Sequence, residues 1–315
     1  MSQLWVTNSL GGHLTNNSLS KSLRNQALPE YVYRQFVDYK EDPGKKNGDT
    51  VFFDKVLKID TKGSTLVETN TMPENKWKVV KDSVVMTEWG NSVPYTAKLE
   101  TLAEFDPENL STTKLKDDMV EVIDSAAYAQ FRTFKYVAVA TNTATTVFTS
   151  NGTATITATA NASDRTVRDI VDKMDMVLIP RFSDKNYRAA ISVNTRRGIY
   201  DYLQAVAQYA DPEYRANAEV GQYYGVRFSL DTAFLSNSVG ASSLYGEGIF
   251  FGKEAVLEAM ALQPEIRMKV PTDYGRSMGV SWYGIFQFKK MWDLVTDNLN
   301  SNVNGLERGV LLTSA

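Results

Sequence analysis

The chain contains no cysteine and only one histidine, His13, among its 315 residues. The absence of cysteine excludes disulfides, thiolate metal sites and cysteine nucleophiles, and it suits assembly in a reducing cytoplasm. His13 lies in the polar segment 1–25, where it offers neither a histidine metal cluster nor a credible base for a Ser/His/Asp triad. We therefore expect no catalytic centre, no metal site and no cofactor.

The sequence also lacks an excess of positive or negative charge, and it lacks long hydrophobic runs. Thirty-four basic residues against 37 acidic ones leave a net charge of -3, which is too close to balance for a protein whose affinity for nucleic acid rests on neutralising phosphates. No apolar run approaches the roughly 18 residues of a transmembrane helix. Met1 to Leu10 lack the basic and apolar regions of a secretory signal. The sequence predicts a soluble protein that stays where it is made.

The composition is that of an ordered protein. Hydrophobic residues make up 43% and aromatic residues 11% of the chain, and a compact chain of this length buries about three quarters of its unfolded surface. Strand and helix patterns alternate from about residue 164 to residue 260, which predicts a mixed α/β lobe there. The polar segment 1–25 has the composition of an arm, with a disordered tail as the alternative.

A long helix is predicted after Asp106. Asp106 and Pro107 form a helix start, because the carboxylate can cap free backbone N–H groups and proline is tolerated at the first helical position. Apolar residues then recur at spacings of three and four over about five turns or more: Leu115, Met119, Val122, Ile123 and Ala126. This apolar stripe requires a partner surface.

The region 50–101 is rich in strand signals, with a turn predicted at Trp89-Gly90-Asn91. The predicted strands are Val51–Ile59, Trp77–Val85 and Val93–Leu102. Strict alternation is broken at Phe52-Phe53 and at Val84-Val85, which indicates that both strand faces are covered. A long two-stranded excursion with little core of its own needs a neighbour to cover it. A plain sheet within the chain is the alternative.

Further elements follow from the same kinds of pattern. The predicted helices lie at Leu28–Tyr39, at 163–176 with a capping box of Thr166 and Asp169, after Asn194-Thr195, and at Glu254–Leu262. The predicted strands lie at Phe134–Ala140, in a hairpin within 147–160 that turns at Asn151-Gly152, at Met176–Ile179, at Arg188–Val193, at Glu265–Val270 and at Val280–Phe288. From Asn298 onward the composition is again that of an arm.

Two groups of residues could carry chemistry. The long helix has four acidic residues, Asp117, Asp118, Glu121 and Asp124, and two of them could form an acid/base pair. They mostly avoid the apolar stripe, so a solvated face is the better interpretation. Gly246–Lys253 superficially matches a phosphate loop, but its spacing is wrong and Glu254 stands where Ser or Thr would bind magnesium. Its glycines are better explained by a strand that turns closely.

Four residues are candidates for contacts between subunits: Trp77, Trp89, Arg196 and Arg197. Aromatic and arginine side chains often anchor protein contacts, and the tryptophans are spread through extended segments. Core packing is the alternative for each tryptophan. Arg196 and Arg197 follow a helix start, where they could bind a phosphate, but a surface or intersubunit ion pair is favoured.

Short motifs follow one another along the chain in a particular order: Glu88-Trp89-Gly90-Asn91, Tyr95-Thr96, Leu99-Glu100, Ala126-Ala127 at the end of the long helix, Tyr224-Gly225-Val226-Arg227-Phe228, Asp273-Tyr274-Gly275-Arg276 and Ser281-Trp282-Tyr283-Gly284. In this order they resemble a tailed-bacteriophage major capsid protein over most of residues 28 to 295. The resemblance implies the α+β coat fold shared by tailed phages and herpesviruses, so the predicted fold class is α+β. It further implies an N-terminal arm (1–45), an extended β loop (46–104), a peripheral domain with the long spine helix (105–163 and 264–297), an axial domain (164–263) and a C-terminal tail (298–315).

The same resemblance implies a function in assembly. Copies of the chain would form pentamers and hexamers of an icosahedral virion capsid that encloses double-stranded DNA without sequence-specific binding, assembled in the cytoplasm of a bacterial host. Scaffolding, portal and decoration proteins would be further partners, and no membrane would be involved. A cellular nanocompartment shell of the same fold is one alternative. A carboxylate-based hydrolase is another, which would require acidic residues from separate segments to converge in a pocket.

Overall fold

The computed structural model of the chain describes residues 28–29, 31–37, 39–41, 48–59, 63–68, 71–72, 74–142, 145–206, 221–295 and 305–315. The helices are α1 (Ala97–Leu102), α2 (Pro107–Phe131), α3 (Asp164–Met176) and α4 (Val193–Val206). The strands are β1 (Tyr39–Glu41), β2 (Thr50–Val56), β3 (Val79–Val85), β4 (Thr87–Thr96), β5 (Tyr136–Ala140), β6 (Thr146–Thr149), β7 (Tyr187–Ile191), β8 (Gln222–Tyr223), β9 (Val226–Leu230), β10 (Gly248–Phe251), β11 (Val256–Met268), β12 (Ser277–Lys290) and β13 (Gly309–Leu312). The predicted α+β class is confirmed.

The strands form three sheets. The first has four strands in the order β1-β11-β12-β4, the second has seven in the order β6-β5-β13-β10-β7-β9-β8, and the third consists of β2 and β3 alone. Strand β1 is parallel to β11, whereas β12 is antiparallel to both of its neighbours, β11 and β4. The strands predicted at 265–270 and 280–288 therefore do face each other, as the adjacent pair β11 and β12.

Helix α2 packs against the four-stranded sheet. It begins as predicted, because the Asp106 carboxylate accepts the backbone N–H of Glu108 at 3.0 Å and Pro107 is the first helical residue. The predicted apolar stripe is confirmed: Leu115 and Ile123 are buried, while Met119, Val122 and Ala126 are half-buried against the same core. That core includes Trp282 and Phe286 of β12. Burial of this stripe stabilises the helix more than local propensity does.

Helix α3 covers one face of the seven-stranded sheet. Its buried stripe consists of Val167, Ile170, Val171 and Met174, at the spacing predicted for this helix. These side chains share a core with Tyr136 of β5 and with Val310 and Leu312 of β13. The capping box differs from the prediction, since Ser163 and not Asp169 completes it with Thr166. A side chain one residue before the helix can reach the free N–H groups of the first turn, which Asp169 cannot.

The segment before β2 crosses α2. In the described residues of 28–39, the predicted helix is reduced to one 3-10 turn, Arg34–Phe36. The Asp124 carboxylate on α2 accepts the backbone N–H groups of Val32 at 3.0 Å and of Arg34 at 2.7 Å. Beyond the turn the chain extends as β1 alongside β11. Residues 1–27 and 42–47, which include most of the predicted arm, lie outside the described residues.

The strand predicted at Val93–Leu102 is correct as far as Thr96. Strand β4 passes straight through the predicted turn at Trp89-Gly90-Asn91, because it pairs with β12 along its whole length. Gly90 is needed there, since a Cβ would lie 2.7 Å from the carbonyl oxygen of Trp282. The hydroxyl of Thr96 then accepts the Leu99 N–H and begins α1, so the remaining residues are helical.

Two strands predicted between α2 and β7 are wrong. Residues 153–160 form no strand, and the hairpin lies earlier, between β5 and β6. Gly152, with φ 84°, instead makes a turn after β6. At 176–179, Met176 ends α3 and Leu178 adopts a left-handed φ of 62° with an exposed side chain, so no buried strand can form there.

Two errors near the end of the chain have a common cause. The helix predicted at Glu254–Leu262 is mostly part of β11, which pairs with both β12 and β1. The arm-like tail contains β13, which is buried between β5 and β10. In both cases long-range pairing overrides the local pattern. The seven-stranded sheet also spans the boundary predicted at residue 163, while the division into peripheral and axial domains stays a prediction.

Candidate assembly surface

The β2–β3 pair, together with the described residues of the connecting segment 57–78, is here named the ribbon. Its strands pair antiparallel at all seven positions, from Thr50 opposite Val85 to Val56 opposite Val79. Neither strand pairs with any other strand of the described chain. A two-stranded sheet of this kind has little stability of its own unless other surfaces cover it.

The inner face of the ribbon packs on the body of the chain. Phe53 of β2 and Val84 of β3 are buried, and with Met86 they share a core with Leu257 and Ala259 of β11. This core is separate from the two larger ones. It fixes the base of the ribbon at the end of the four-stranded sheet where β4 begins.

A group of charges reinforces this attachment. Asp82 on β3 accepts hydrogen bonds from the ammonium of Lys55, at 2.9 Å, and from Lys289 on β12. Burial alone raises the pKa of Asp82, but the hydrogen bonds from Lys289 and Lys55 outweigh it, and the pKa is lowered. Lys55 is itself buried, 5.9 Å from the Trp292 ring. An ionised Asp82 therefore ties the ribbon to the body at neutral pH.

The outer face of the ribbon carries four apolar residues that are exposed. Phe52, Val56, Val79 and Val85 alternate with the inner-face residues and point away from the body. The Phe52 side chain is 72% exposed, and full burial of such a side chain would contribute about 1.5–3 kcal/mol. The doublets Phe52-Phe53 and Val84-Val85 thus place apolar residues on both faces of the ribbon. The chain itself covers only the inner face.

Two of the predicted contact residues are tryptophans with different surroundings. Trp77 lies on the ribbon just before β3 and is 62% exposed. Trp89 is half-buried in β4, its ring stacked on Phe286 at 5.6 Å and its indole N–H donated to the Phe286 carbonyl oxygen at 3.1 Å. Trp77 therefore has most of its surface available to a partner, whereas Trp89 already uses one ring face and its N–H within the chain.

The other two predicted contact residues are the fourth and fifth residues of α4. Arg197 is exposed and its Nε is 3.9 Å from Oδ2 of Asp201, whereas Arg196 is half-buried. Helix α4 packs against α3. The structure thus distributes the four predicted residues over the ribbon, the four-stranded sheet and α4, and it does not bring them together in one site. Their role in subunit contacts stays a prediction.

The acidic residues of α2 are not all solvated, which corrects the prediction for two of them. Asp118 accepts the Trp282 indole N–H at 2.6 Å and the Asn91 amide at 3.1 Å. Asp124 is buried beneath the turn that it holds, and burial is the main reason that its pKa is raised. Both carboxylates tie neighbouring segments to the helix, so this cluster gives no support to an acid/base pair.

The glycines of 246–253 allow close packing, whereas the prediction was a strand that turns closely. A Cβ on Gly252 would lie 2.3 Å from the Pro180 carbonyl oxygen. Within the part of the chain that the structure describes, no group of three or more acidic or histidine side chains is placed to hold a metal. No helix there is long and apolar enough to span a bilayer. His13 lies outside the described residues.

A second exposed apolar surface was missed by the sequence analysis. It consists of Val93 on β4, Leu99 and Leu102 on α1 and Leu110 on α2, and is here named the patch. Helix α1 contacts both β4 and α2, so these residues lie on adjoining elements. Interpreting 93–102 as a strand hid the patch, because Leu99 and Leu102 share a face only in a helix.

Comparison with solved structures gives full-length matches to phage capsids. A chain of the capsid of Helicobacter pylori bacteriophage KHP30 matches with a TM-score of 0.72 and 11% identity, over 100% of this chain and 99% of that one. The capsid of Ralstonia phage GP4 matches with a TM-score of 0.66 and 13% identity, over 100% and 98%. The cyanophage Pam1 capsid matches with a TM-score of 0.67 and 16% identity, over 98% and 99%.

At the level of sequence, no protein-family model and no curated protein matches the chain. Identities of 11–16% carry the fold and not the function. The matches nevertheless extend from end to end of both chains, which a shared supersecondary motif would not do. The chain therefore has the fold of the phage capsid proteins to which its motifs show a resemblance.

Proposed function

We propose that this chain is the major capsid protein of a tailed bacteriophage, and that it self-assembles as pentamers and hexamers into an icosahedral shell around double-stranded DNA. The observation that supports this most strongly is the full-length likeness to chains described as phage capsids. Because one fold can serve several functions, support from the chain's own surface is also needed.

That support comes from the ribbon. Its inner face is packed and its outer face, with Phe52 and Val85, is left exposed. A surface of this kind is suited to burial against another copy of the chain, in an interface of the large obligate class. Trp77 belongs to the same ribbon. We further propose that Trp89, Arg196 and Arg197 contact neighbouring subunits.

The charge and the partners fit the same function. A net charge of -3 suits a container that encloses DNA without gripping it. Scaffolding, portal and decoration proteins are the further partners we propose, and the assembled protein would reside in the virion capsid after assembly in the host cytoplasm.

Negative-stain microscopy with light scattering on the purified chain tests the proposal, with the chain alone and with its neighbouring gene products. We expect closed shells, or rings of five and six subunits. A monomer under every one of these conditions would contradict a shell function. If shells purified from the producing cells enclosed an enzyme instead of DNA, the function would be that of a nanocompartment shell and not of a phage capsid.

A further inference from the structure

A cavity lies between strand β3, the C-terminal end of α2 and the end of β12. Its volume is about 440 Å³, within the range of roughly 300–1,000 Å³ that small-molecule sites have. Its lining contains six charged residues: Lys81, Asp82, Lys135, Lys289, Lys290 and Asp293. We propose that this cavity, here named the anion cavity, binds a small free anion that carries phosphate groups.

The charge of the lining favours an anion. Four lysines against two aspartates leave an excess of two positive charges, although the whole chain has a net charge of -3. Two adjoining charges cancel each other: Lys55 is 2.9 Å from the Asp82 carboxylate, and Glu307 is 3.5 Å from the Lys290 ammonium. A concave surface with an excess of one charge raises the local concentration of ions of the opposite charge.

Two of the lysines are held in place by the protein. The Lys289 ammonium donates to the Asp82 carboxylate. The Lys290 ammonium is 2.8 Å from the Asp293 carboxylate and donates to the Thr133 carbonyl oxygen at 3.2 Å. Lysines that are fixed by such contacts lose little side-chain freedom when they also contact a ligand. They form the preorganised part of the anion cavity.

The other two lysines have no acidic partner in the described structure. Lys135 is half-buried in the segment between α2 and β5, and Lys81 is exposed on β3. Asp54 is directly opposite Lys81 on the ribbon, but neither Lys81 nor Lys135 forms an ion pair within the described residues. Because no carboxylate neutralises these two ammonium groups, their charges remain available to a bound anion.

An amide adds uncharged donors to the lining. The Gln130 side-chain oxygen accepts the Lys290 backbone N–H at 3.2 Å, which leaves the NH2 group of the same amide to donate elsewhere. In the described structure that NH2 group has no acceptor. A phosphate group offers three acceptor oxygens and a charge of about -1.5 to -2, which matches the excess of two positive charges. A carboxylate offers only one charge.

The arrangement of the lysines favours a free anion over duplex DNA. Lys81 comes from β3, Lys135 from the segment after α2, and Lys289 and Lys290 from β12. The charges thus come from three elements around the cavity, and a free anion can enter between them. The phosphates of a duplex are spaced along a rigid rod, so that only the rim would be within their reach.

A bound anion would connect the ribbon to the body of the chain. Lys81 belongs to the ribbon, whereas Lys135 and Lys290 belong to the body, so a ligand that contacts all three adds a link to the one that Asp82 makes. This inference goes beyond the proposed function and does not depend on it, because the anion cavity is formed within one chain.

Isothermal titration calorimetry of the full-length protein with pyrophosphate tests the assignment. We expect one site per chain, with an affinity that falls as salt is added. Lys135→Gln should weaken binding about tenfold, because hydrogen bonds to charged groups contribute a corresponding free energy. Lys98→Gln on α1, an exposed lysine outside the cavity, is the matched control and should bind as the wild type does. Circular dichroism and urea unfolding verify that the variants fold.

Asp293→Asn should have an effect of the opposite sign. It removes a negative charge from the lining, so pyrophosphate should bind several-fold more tightly. A variant that had merely lost its structure would bind more weakly, which separates the two explanations. Hydrogen exchange gives an independent measurement, since pyrophosphate should slow the exchange of the β3 amides in the wild type and not in Lys135→Gln.

Absence of pyrophosphate binding to the wild type, or equal binding by the wild type and Lys135→Gln, would overturn the assignment. A short DNA duplex at the same phosphate concentration should not displace pyrophosphate. If the duplex bound instead, with the same dependence on Lys135, a DNA contact would replace the small-anion site. None of these results bears on whether the chain forms shells, so the proposed function is tested separately.

Discussion

The seven-stranded sheet and the ribbon cover their apolar faces in opposite ways. Every residue of β10 and β13 is buried within the chain, and α3 closes one face of that sheet. In the ribbon, Phe53 is buried while its neighbour Phe52 is 72% exposed. The sheet is therefore stabilised by contacts within the folded chain. The ribbon has apolar surface that only another molecule can bury.

The largest expected effect comes from matched phenylalanine substitutions in these two regions. Phe250→Ala in β10 removes a side chain that is fully buried, so we expect a loss of about 3–5 kcal/mol in the free energy of unfolding of the monomer. Phe52→Ala should change it by less than about 0.5 kcal/mol and yet abolish assembly. Urea unfolding and light scattering measure the two effects. A large loss of monomer stability in Phe52→Ala would break the comparison.

The next effect is the pH dependence of stability, and it comes from a residue beside the seven-stranded sheet. Glu307 precedes β13 with its carboxylate buried, one oxygen 3.5 Å from the Lys290 ammonium and the other without a hydrogen bond in the described structure. Burial raises the pKa of Glu307 to about 7. Because this exceeds the unfolded value, Glu307 stabilises the fold fully at pH below the unfolded pKa, and the contribution is lost as pH rises through the folded pKa.

We therefore expect the free energy of unfolding of the wild type to fall between about pH 5 and pH 8, by on the order of 3 kcal/mol. Glu307→Gln, which cannot ionise, should remove most of this dependence. Unfolding curves across this range for both proteins, with the exposed Glu104→Gln as control, make the measurement. An unchanged slope in Glu307→Gln would show that another group titrates there.

A smaller effect is expected at the base of the ribbon. Asp82→Asn removes the charge that binds Lys55 and Lys289, at a cost of about 1–3 kcal/mol. Hydrogen exchange should speed up at the amides of β2 and β3 and stay unchanged in β10 and β13. Asp54→Asn on the outer face of the same strand pair is the matched control and should have little effect. Equal loss of protection in both regions would show that ribbon and sheet unfold as one unit.

The smallest effect concerns the helix that covers the sheet. Ser163→Ala removes the cap of α3, whose hydroxyl bonds the Thr166 N–H, and should cost about 1 kcal/mol of stability. Thermal unfolding measures the loss of stability. The hydrogen-exchange rates of the ribbon amides should not change. Ser163→Thr is the conservative control and should retain most of the stability. A variant as stable as the wild type would show that tertiary packing alone holds this end of α3.

Sequence patterns predicted the elements whose signals are local. Helix α2 follows from Asp106 and Pro107 together with its apolar stripe, and α3 follows from four apolar residues on one face. The strands of the ribbon were also predicted, because each of them has a local strand pattern and they follow one another in the sequence. In each case the residues that specify the element are within a few turns or strand positions of one another.

The elements that sequence analysis missed depend on distant partners. Strand β11 has a helix-like pattern at 254–262, but pairing with β12 and β1 makes it extended. The run 309–312 is too short to signal a core strand by itself. The patch was missed for a related reason, since its exposure depends on how α1 sits against β4 and α2. Of the candidate site residues, Trp77 is exposed on the ribbon. The sequence could not show that Trp89 is less exposed, because its burial depends on the position of Phe286.

The position of β13 in the sheet determines when all seven strands can be paired during synthesis. This strand lies between β10 and β5 and pairs with both, so the two halves of the sheet stay unconnected until residue 312 has been synthesised. A nascent chain that stops earlier exposes two unpaired strand edges, which favours aggregation or proteolysis over folding. We therefore expect a chain that is truncated before β13 to lack a stable seven-stranded sheet, and with it the body on which the ribbon rests.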